Sequence, residues 1–372
     1  MINYQHPKTV IFFSNPFGYG PTGTLIPIAK KFNDSLKNVQ LIFASSGLCN
    51  EILNQHQLDK FNFYEINQRS IEEITLFLQR FTYHPLIISC LNRFAIQAAY
   101  NIDTSSALID PLGWFWRQNR PAEYSLAKYY FYNGLNKVKY PGKNHFDIPP
   151  ITDDFKFVKK VNLNNSIVFH LGGTQNPLVS GIPEKYLDLL IRLINDTHFN
   201  PEQEIIIAGG KASTDYINRF ITKKITCGSF PFDEFILKIK QCHKIYTPAG
   251  MGVTFISIHL KKDLNIFLPH NLSQWALSKT AIVKASAHNI FSWEDYFPFD
   301  WKLSQMTEKE SIAITSKLSS QVLQDSSLYN KLQKKFSNSI STPNNVINSV
   351  PAFRNKGQNF VLRKLITEWH LT

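Results

Sequence analysis

Ser166-Ile167-Val168-Phe169-His170-Leu171-Gly172-Gly173-Thr174-Gln175 runs from a short apolar segment straight into a glycine turn, and a helical pattern follows from Glu184 to about Asn195. A strand buried on both faces reads as a continuous apolar run, and glycine lets the chain reverse tightly behind it. This stretch decides the fold because it repeats the opening of the chain. There, Val10-Ile11-Phe12-Phe13 leads into the Gly/Pro-rich stretch Ser14 to Gly23 and then a helical pattern, Leu25 to Phe32. Strand, glycine loop and helix in that order form the first unit of a nucleotide-binding-like α/β sheet.

Outward from these two points the alternation continues. Strand patterns at Val39–Ala44, Leu86–Ser89 and Ser106–Ile109 are separated by helical patterns at Ile71–Phe81 and Arg93–Tyr100. In the second half come Glu204–Ala208 ending in Gly209-Gly210, then Lys244–Thr247, then Pro248-Ala249-Gly250-Met251-Gly252-Val253-Thr254, and then Leu264–Leu268. Strands alternating with helices imply right-handed crossovers and a parallel sheet, whose ligands sit beyond the carboxyl ends of the strands. The expected class is α/β with two successive Rossmann-like domains.

The 372 residues suit two domains at roughly 100–200 residues each. Pro141, Gly142, Pro149 and Pro150 crowd between the two patterns and read as the linker, giving domains 1–150 and 151–350. Ser337 to Gly357 is rich in Asn, Ser and Pro and reads as loop. The remainder, 351–372, carries an amphipathic pattern with Phe360, Leu362, Leu365, Ile366 and Trp369 apolar, a helix expected to pack back on the first domain.

Composition narrows the classes. Hydrophobic residues make up 43% and charged residues 18%, which excludes a wholly disordered chain. Lys+Arg number 40 and Asp+Glu 28, a net charge of +12, but the excess is scattered in pairs such as Lys30-Lys31, Lys261-Lys262 and Lys334-Lys335. Those pairs read as solvated helix faces, and no nucleic-acid motif accompanies them; contact with an anionic membrane surface stays open. No apolar run approaches the roughly 20 residues of a membrane span. The start enters a strand pattern without a signal-peptide h-region, and Cys49, Cys90, Cys227 and Cys242 form no CxxC pair. A soluble, reducing, cytoplasmic setting is the expectation. Oligomeric state is not legible.

Three glycine-bearing loops follow predicted strands: Gly18-Tyr19-Gly20-Pro21-Thr22-Gly23-Thr24, Gly172-Gly173-Thr174-Gln175 and Gly250-Met251-Gly252-Val253-Thr254. None matches the P-loop or the dinucleotide fingerprint. Two such loops in one half-sheet favour a diphosphate clamp, because glycine admits close backbone approach and the next helix offers free N–H groups.

With Gly23-Thr24-Leu25-Ile26-Pro27-Ile28-Ala29 in the first half, and Gly250–Thr254 followed by Leu268-Pro269-His270-Asn271-Leu272-Ser273-Gln274 in the second, the chain resembles the GT-B glycosyltransferases. The likeness is to the branch of the UDP-glycosyltransferases and the muropeptide GlcNAc transferase. Leu108-Ile109-Asp110-Pro111-Leu112-Gly113-Trp114-Phe115-Trp116 also looks like the cytosylglucuronate synthases, which join a sugar to a free nucleobase. The resemblance implies two Rossmann-like domains facing across a cleft. It also implies an inverting, metal-independent transfer from a nucleotide-diphosphate sugar, UDP-type, to a small-molecule acceptor.

On that reading the second domain binds the donor through Gly172, Gly173, Thr174, Gln175, Gly250, Gly252, Val253 and Thr254 at the diphosphate. Phe230 lies near the base, and His270 and Gln274 touch the sugar. Gly20, Thr22, Thr24, Trp114 and Trp116 are the acceptor-side residues. No resident cofactor and no metal are expected: helix N-termini and backbone N–H groups can stabilise a leaving diphosphate. Thr24 stands where relatives often carry a base histidine, and Ser257 where they carry a ribose-binding Glu. Threonine cannot take a proton near neutral pH, which leaves Asp110, at the end of an apolar run, as the candidate base. A sugar-nucleotide epimerase would need a denser set of acidic residues. The alternative kept open is a catalytically degenerate scaffold that binds a sugar nucleotide or a protein partner.

Overall fold

The computed structural model describes residues 8–16, 19–56, 58–81, 83–116, 120–135, 138–152, 165–174, 181–298, 302, 305–342 and 357–371. The chain divides into two compact units, one made of Met1–Phe155 with Phe353–Thr372 and the other of Lys156–Ala352.

The first unit holds strands β1 (Lys8–Ser14), β2 (Val39–Ser45), β3 (Phe61–Glu65), β4 (Leu86–Cys90), β5 (Ser106–Asp110), β6 (Tyr129–Tyr132) and β7 (His145–Asp147). They pair in parallel in the order β3-β2-β1-β4-β5-β6-β7. Its helices are α1 (Gly20–Ser35), α2 (Leu48–Leu53), α3 (Ile71–Leu78), α4 (Arg93–Asn101) and the single turn α5 (Gly113–Trp116). Alternate residues of β1 feed opposite faces: Val10 and Phe12 join the core with Leu25, Ile28 and Phe32 of α1, whereas Ile11 and Phe13 join Ile74 and Phe77 of α3. Side-chain caps close the helix starts where the sequence supplies them, Ser70 accepting from Glu73 N–H and Asn92 from Ala95 N–H.

The second unit holds β8 (Ser166–His170), β9 (Glu204–Ala208), β10 (Thr226–Gly228), β11 (Lys244–Thr247), β12 (Asp263–Ile266) and β13 (Asn289–Ile290), again parallel, in the order β10-β9-β8-β11-β12-β13. Its helices are α6 (Glu184–Asp196), α7 (Lys211–Phe220), α8 (Phe232–Gln241), α9 (Met251–His259), α10 (Leu272–Ser278), α11 (Ala281–Ser286), α12 (Glu308–Gln324) and α13 (Ser326–Ser341). In each sheet the chain builds outward from one central strand and then returns to the other side of it. The switch points therefore fall between β1 and β4, and between β8 and β11. The last helix, α14 (Gly357–Trp369), packs Val361, Leu365 and Trp369 into the core of the first unit.

Three sequence expectations change. The Pro/Gly crowding read as linker contains β7, whose three residues pair with β6 at the sheet edge, so the first sheet continues into it. The stretch read as loop from Ser337 is helical as far as Ser341, because Phe336 and Ile340 are buried in the second core and hold the end of α13 in place; residues 343–356 lie outside the described residues. Lys262, from a pair read as solvated, is instead spent on a helix carboxyl end, as are Lys244 and Lys8. Lys244 Nζ donates to the carbonyls of Ser339, Ile340 and Thr342, Lys262 Nζ to those of Lys240 and Cys242, and Lys8 Nζ to those of Trp369 and His370. A cation there satisfies orphan carbonyls and opposes the negative end of the helix dipole.

Candidate functional site

Both glycine loops of the second unit flank the β8/β11 switch point. After β8, Gly172 adopts φ +70, and a Cβ on it would lie 2.9 Å from Gln274 Nε2 and 3.4 Å from His270 Nε2. Glycine is required there twice over, by the left-handed backbone and by this close approach. The loop thus meets the segment that carries His270 and Gln274, which stands 99 residues away from Leu171 in sequence. His270 Nε2 lies 3.2 Å from the Leu171 carbonyl and 3.1 Å from Gln274 Nε2, while Gln274 Oε1 accepts from the His270 backbone N–H at 3.1 Å. Burial pushes the His270 imidazole down to about 4, so it is neutral near pH 7.

Thr174 is buried and shares a 2.6 Å hydrogen bond with Ser213 of α7, tying the loop after β8 to the one after β9. Gly173 is half-buried beside it, and Gln175 lies outside the described residues.

After β11, Gly250 is the N-cap of α9 and supplies no side-chain bond to the first-turn N–H groups. A Cβ on Gly250 would meet only the Pro248 carbonyl at 3.9 Å, and one on Gly252 would meet nothing within 4 Å. Val253 is buried behind them, and the Thr254 hydroxyl is buried with no hydrogen-bond partner. The turn thus presents uncapped N–H groups, open glycine faces and an unpaired hydroxyl, the kinds of group that attract an oxyanion at a helix start. Ser257, one turn on, is fully buried and donates to the Val253 carbonyl at 2.7 Å. Its hydroxyl is turned into its own helix and does not stand in for a ribose-binding carboxylate.

Phe230 sits half-buried between β10 and α8, with Lys238 Nζ 4.5 Å from its ring centre.

Two further side chains belong to this edge and were not singled out as site residues from sequence. His170 ends β8; the Thr247 hydroxyl donates to the Pro248 carbonyl at 2.9 Å, so it accepts from His170 Nδ1–H, also at 2.9 Å. Burial, and secondarily the neighbouring His270, push His170 down to about 4. Its position at a strand's carboxyl end was the available signal. Glu308, in the first turn of α12, accepts from the backbone N–H groups of Leu272 and Ser273, and burial pushes it up to about 7. No sequence spacing links residue 308 to residue 272.

In the first unit Gly20 and Pro21 open α1, and a Cβ on Gly20 would meet nothing within 4 Å. Thr22 is fully buried, its hydroxyl 2.9 Å from Ser14 Oγ, and Thr24 donates to the Gly20 carbonyl at 2.9 Å on the helix surface.

Asp110 ends β5 and is only 1% exposed. Its Oδ1 accepts from Leu112 N–H at 2.9 Å and Trp116 Nε1–H at 3.1 Å, and its Oδ2 from the Tyr130 hydroxyl at 2.5 Å. Burial lifts the carboxyl to about 6, against the pull of those three donors and of Arg120. Trp116 therefore holds the carboxylate, and Trp114 is buried with its indole N–H unpaired. Asp110 thus stands at a strand's carboxyl end as a buried carboxyl held by three donors and raised to about 6.

Among the described residues no group of three or more His, Cys, Asp or Glu side chains is gathered to hold a metal, and no helix is long and apolar enough to cross a membrane.

Neither a protein-family model nor a curated protein matches the sequence. Solved structures do match the fold. The UDP-GlcNAc 2-epimerase of Methanocaldococcus jannaschii, in complex with UDP-GlcNAc and UDP, is 13% identical with a TM-score of 0.58, covering 97% of this chain and 99% of that one. UGT89C1 of Arabidopsis thaliana, complexed with UDP, is 10% identical with a TM-score of 0.56 over 97% and 99%. MurG of Acinetobacter baumannii is 11% identical with a TM-score of 0.50 over 97% and 100%. The chain therefore has the GT-B fold, two Rossmann-like α/β units, in common with glycosyltransferases and UDP-sugar epimerases.

Proposed function

We propose that this protein is a glycosyltransferase that takes a UDP-type nucleotide sugar in its Lys156–Ala352 unit and passes the sugar, with inversion and without a metal, to a small-molecule acceptor held by the other unit. The observation that carries this is the arrangement at the β8/β11 switch point, where the uncapped start of α9 and its unpaired Thr254 hydroxyl stand beside the Gly172 loop. A diphosphate leaving group needs donors already in place, and these cost nothing to reorganise as charge develops. His270 and Gln274, packed on Gly172, are the residues for the sugar, and Phe230 is the platform for the base. Asp110 is the proton acceptor.

A second reading, a scaffold that binds the nucleotide without turnover, draws support from the buried and three-fold bonded state of Asp110. Incubation with UDP-sugars and an acceptor panel separates the readings. Release of UDP with a new glycoside of inverted anomeric configuration, undiminished by EDTA, supports transfer. Tight UDP binding without product supports the scaffold, and an epimerised UDP-sugar refutes both.

A further inference from the structure

The corner of the first unit around Asp110 has an imbalance that the catalytic reading does not use. Arg120 lies with its guanidinium carbon 5.1 Å from the ring centre of Tyr130 and 4.7 Å from that of Tyr140. Its Nη1 is buried without a partner, and although its charge acts on the nearby Asp110 carboxyl, no direct ion pair joins the two among the described residues. Two more donors in this corner are also orphaned, Trp114 Nε1 and Asn133 Nδ2. The backbone places them together: Trp114 N–H donates to the Asn133 carbonyl at 2.7 Å, Asn133 N–H to the Asp110 carbonyl at 2.9 Å, and the Tyr140 hydroxyl to the Gly113 carbonyl at 2.7 Å. Trp114 and Asn133 form a buried floor, while Arg120 and Tyr140 at its edge keep partial exposure.

A buried donor without an acceptor is costly, and three unpaired N–H donors in one corner, beside the unpaired His145 Nδ1, call for oxygen acceptors. Planar guanidinium chemistry suits a carboxylate, and the half-buried Tyr140 ring beside it suits a flat group attached to that carboxylate. We propose that this corner binds the carboxylate of an aromatic or otherwise planar acidic acceptor, with Arg120 as the residue that reads the charge. The inference rests on the reading of this unit as the acceptor's, and it names that acceptor's chemical class.

The test uses the full chain, with benzoate as the probe and benzamide as its neutral counterpart, followed by thermal shift and calorimetry. Benzoate raises the melting temperature, and benzamide binds at least about tenfold more weakly, the loss expected when a charge-assisted bidentate pair becomes a neutral one. Arg120→Met abolishes the preference, and Trp114→Phe, which removes a single N–H from the floor, weakens benzoate alone. Equal response to the two probes, or benzoate binding that survives Arg120→Met, overturns the proposal; should Arg120→Met not fold, Trp114→Phe decides in its place. UDP titrated in the same variants keeps the two readings apart. UDP affinity that is unchanged while benzoate is lost supports the inference, whereas benzoate binding in a protein that never binds UDP leaves this corner standing and removes the nucleotide-sugar reading.

Discussion

The two sheets end differently. At the carboxyl edge of the first, Asp110 is closed in by Leu112, Trp116 and Tyr130, each giving it a hydrogen bond. At the carboxyl edge of the second, α9 starts with no capping side chain and with glycines whose Cβ positions look onto open space. One edge surrounds a carboxyl of its own with donors, and the other leaves its donors uncapped. A buried carboxylate surrounded by donors keeps a set geometry and a shifted protonation point, whereas uncapped N–H groups wait for an anion from outside. On the proposed reading, the first edge supplies the proton acceptor and the second receives the leaving group.

The contrast breaks most visibly at Asp110. Asp110→Asn should cut turnover by about 100-fold or more, the usual worth of a general base, while UDP affinity stays within about twofold. Steady-state kinetics beside calorimetry checks this, and parallel losses in both would deny the division of labour.

Next in size is pH. His270 is held at about 4 in the fold against an ordinary 6.5, so its contribution is present above pH 6.5 and is lost as the pH falls toward 4. Asp110 is held at about 6 against an ordinary 3.8, so stability is highest below 3.8 on its account and falls as the pH rises to 6. Each amounts to about 3 kcal/mol, and they oppose one another between pH 4 and 6. Denaturant midpoints across pH 4–7 should show an added fall with rising pH in His270→Asn and an added rise in Asp110→Asn. A shared slope would mean that one of these groups is not buried as described.

Smaller effects separate the two glycine loops. Gly172→Ala must place a side chain at φ +70 against Gln274, costing about 1–3 kcal/mol of stability as well as UDP affinity. Gly252→Ala has room and sits in a helix, so stability should hold or rise by up to about 1 kcal/mol while UDP binding weakens. Differential scanning calorimetry with and without UDP tells these apart. Smallest is Thr254→Val. Removing an unpaired buried hydroxyl should leave the apo protein as stable or about 1 kcal/mol more so, and should lower UDP affinity about tenfold. An unchanged affinity would take the hydroxyl out of the site.

The two glycine turns of the second unit were legible in the sequence, because glycine after an apolar run signals a tight strand-to-helix turn wherever the chain later goes. The strands β3, β6 and β7 were not legible. Four of the five residues of β3 are exposed at a sheet edge, β6 is four aromatic residues, and β7 is three residues inside a Pro/Gly-rich stretch. Segments so short or so solvated carry no periodic signal of their own.

What the sequence determined by itself was local: apolar runs became parallel strands, glycines became turns, and their alternation required two Rossmann-like units. The tertiary structure alone decided which groups met. It packed Gln274 and His270 onto Gly172, gave Glu308 to the start of α10, and surrounded Asp110 with Trp116 and Tyr130 while leaving Arg120 Nη1 unpaired. The reason is physical. Backbone conformation follows from each residue and its near neighbours, but burial, hydrogen-bond partnership and pKa depend on groups brought together from distant parts of the chain.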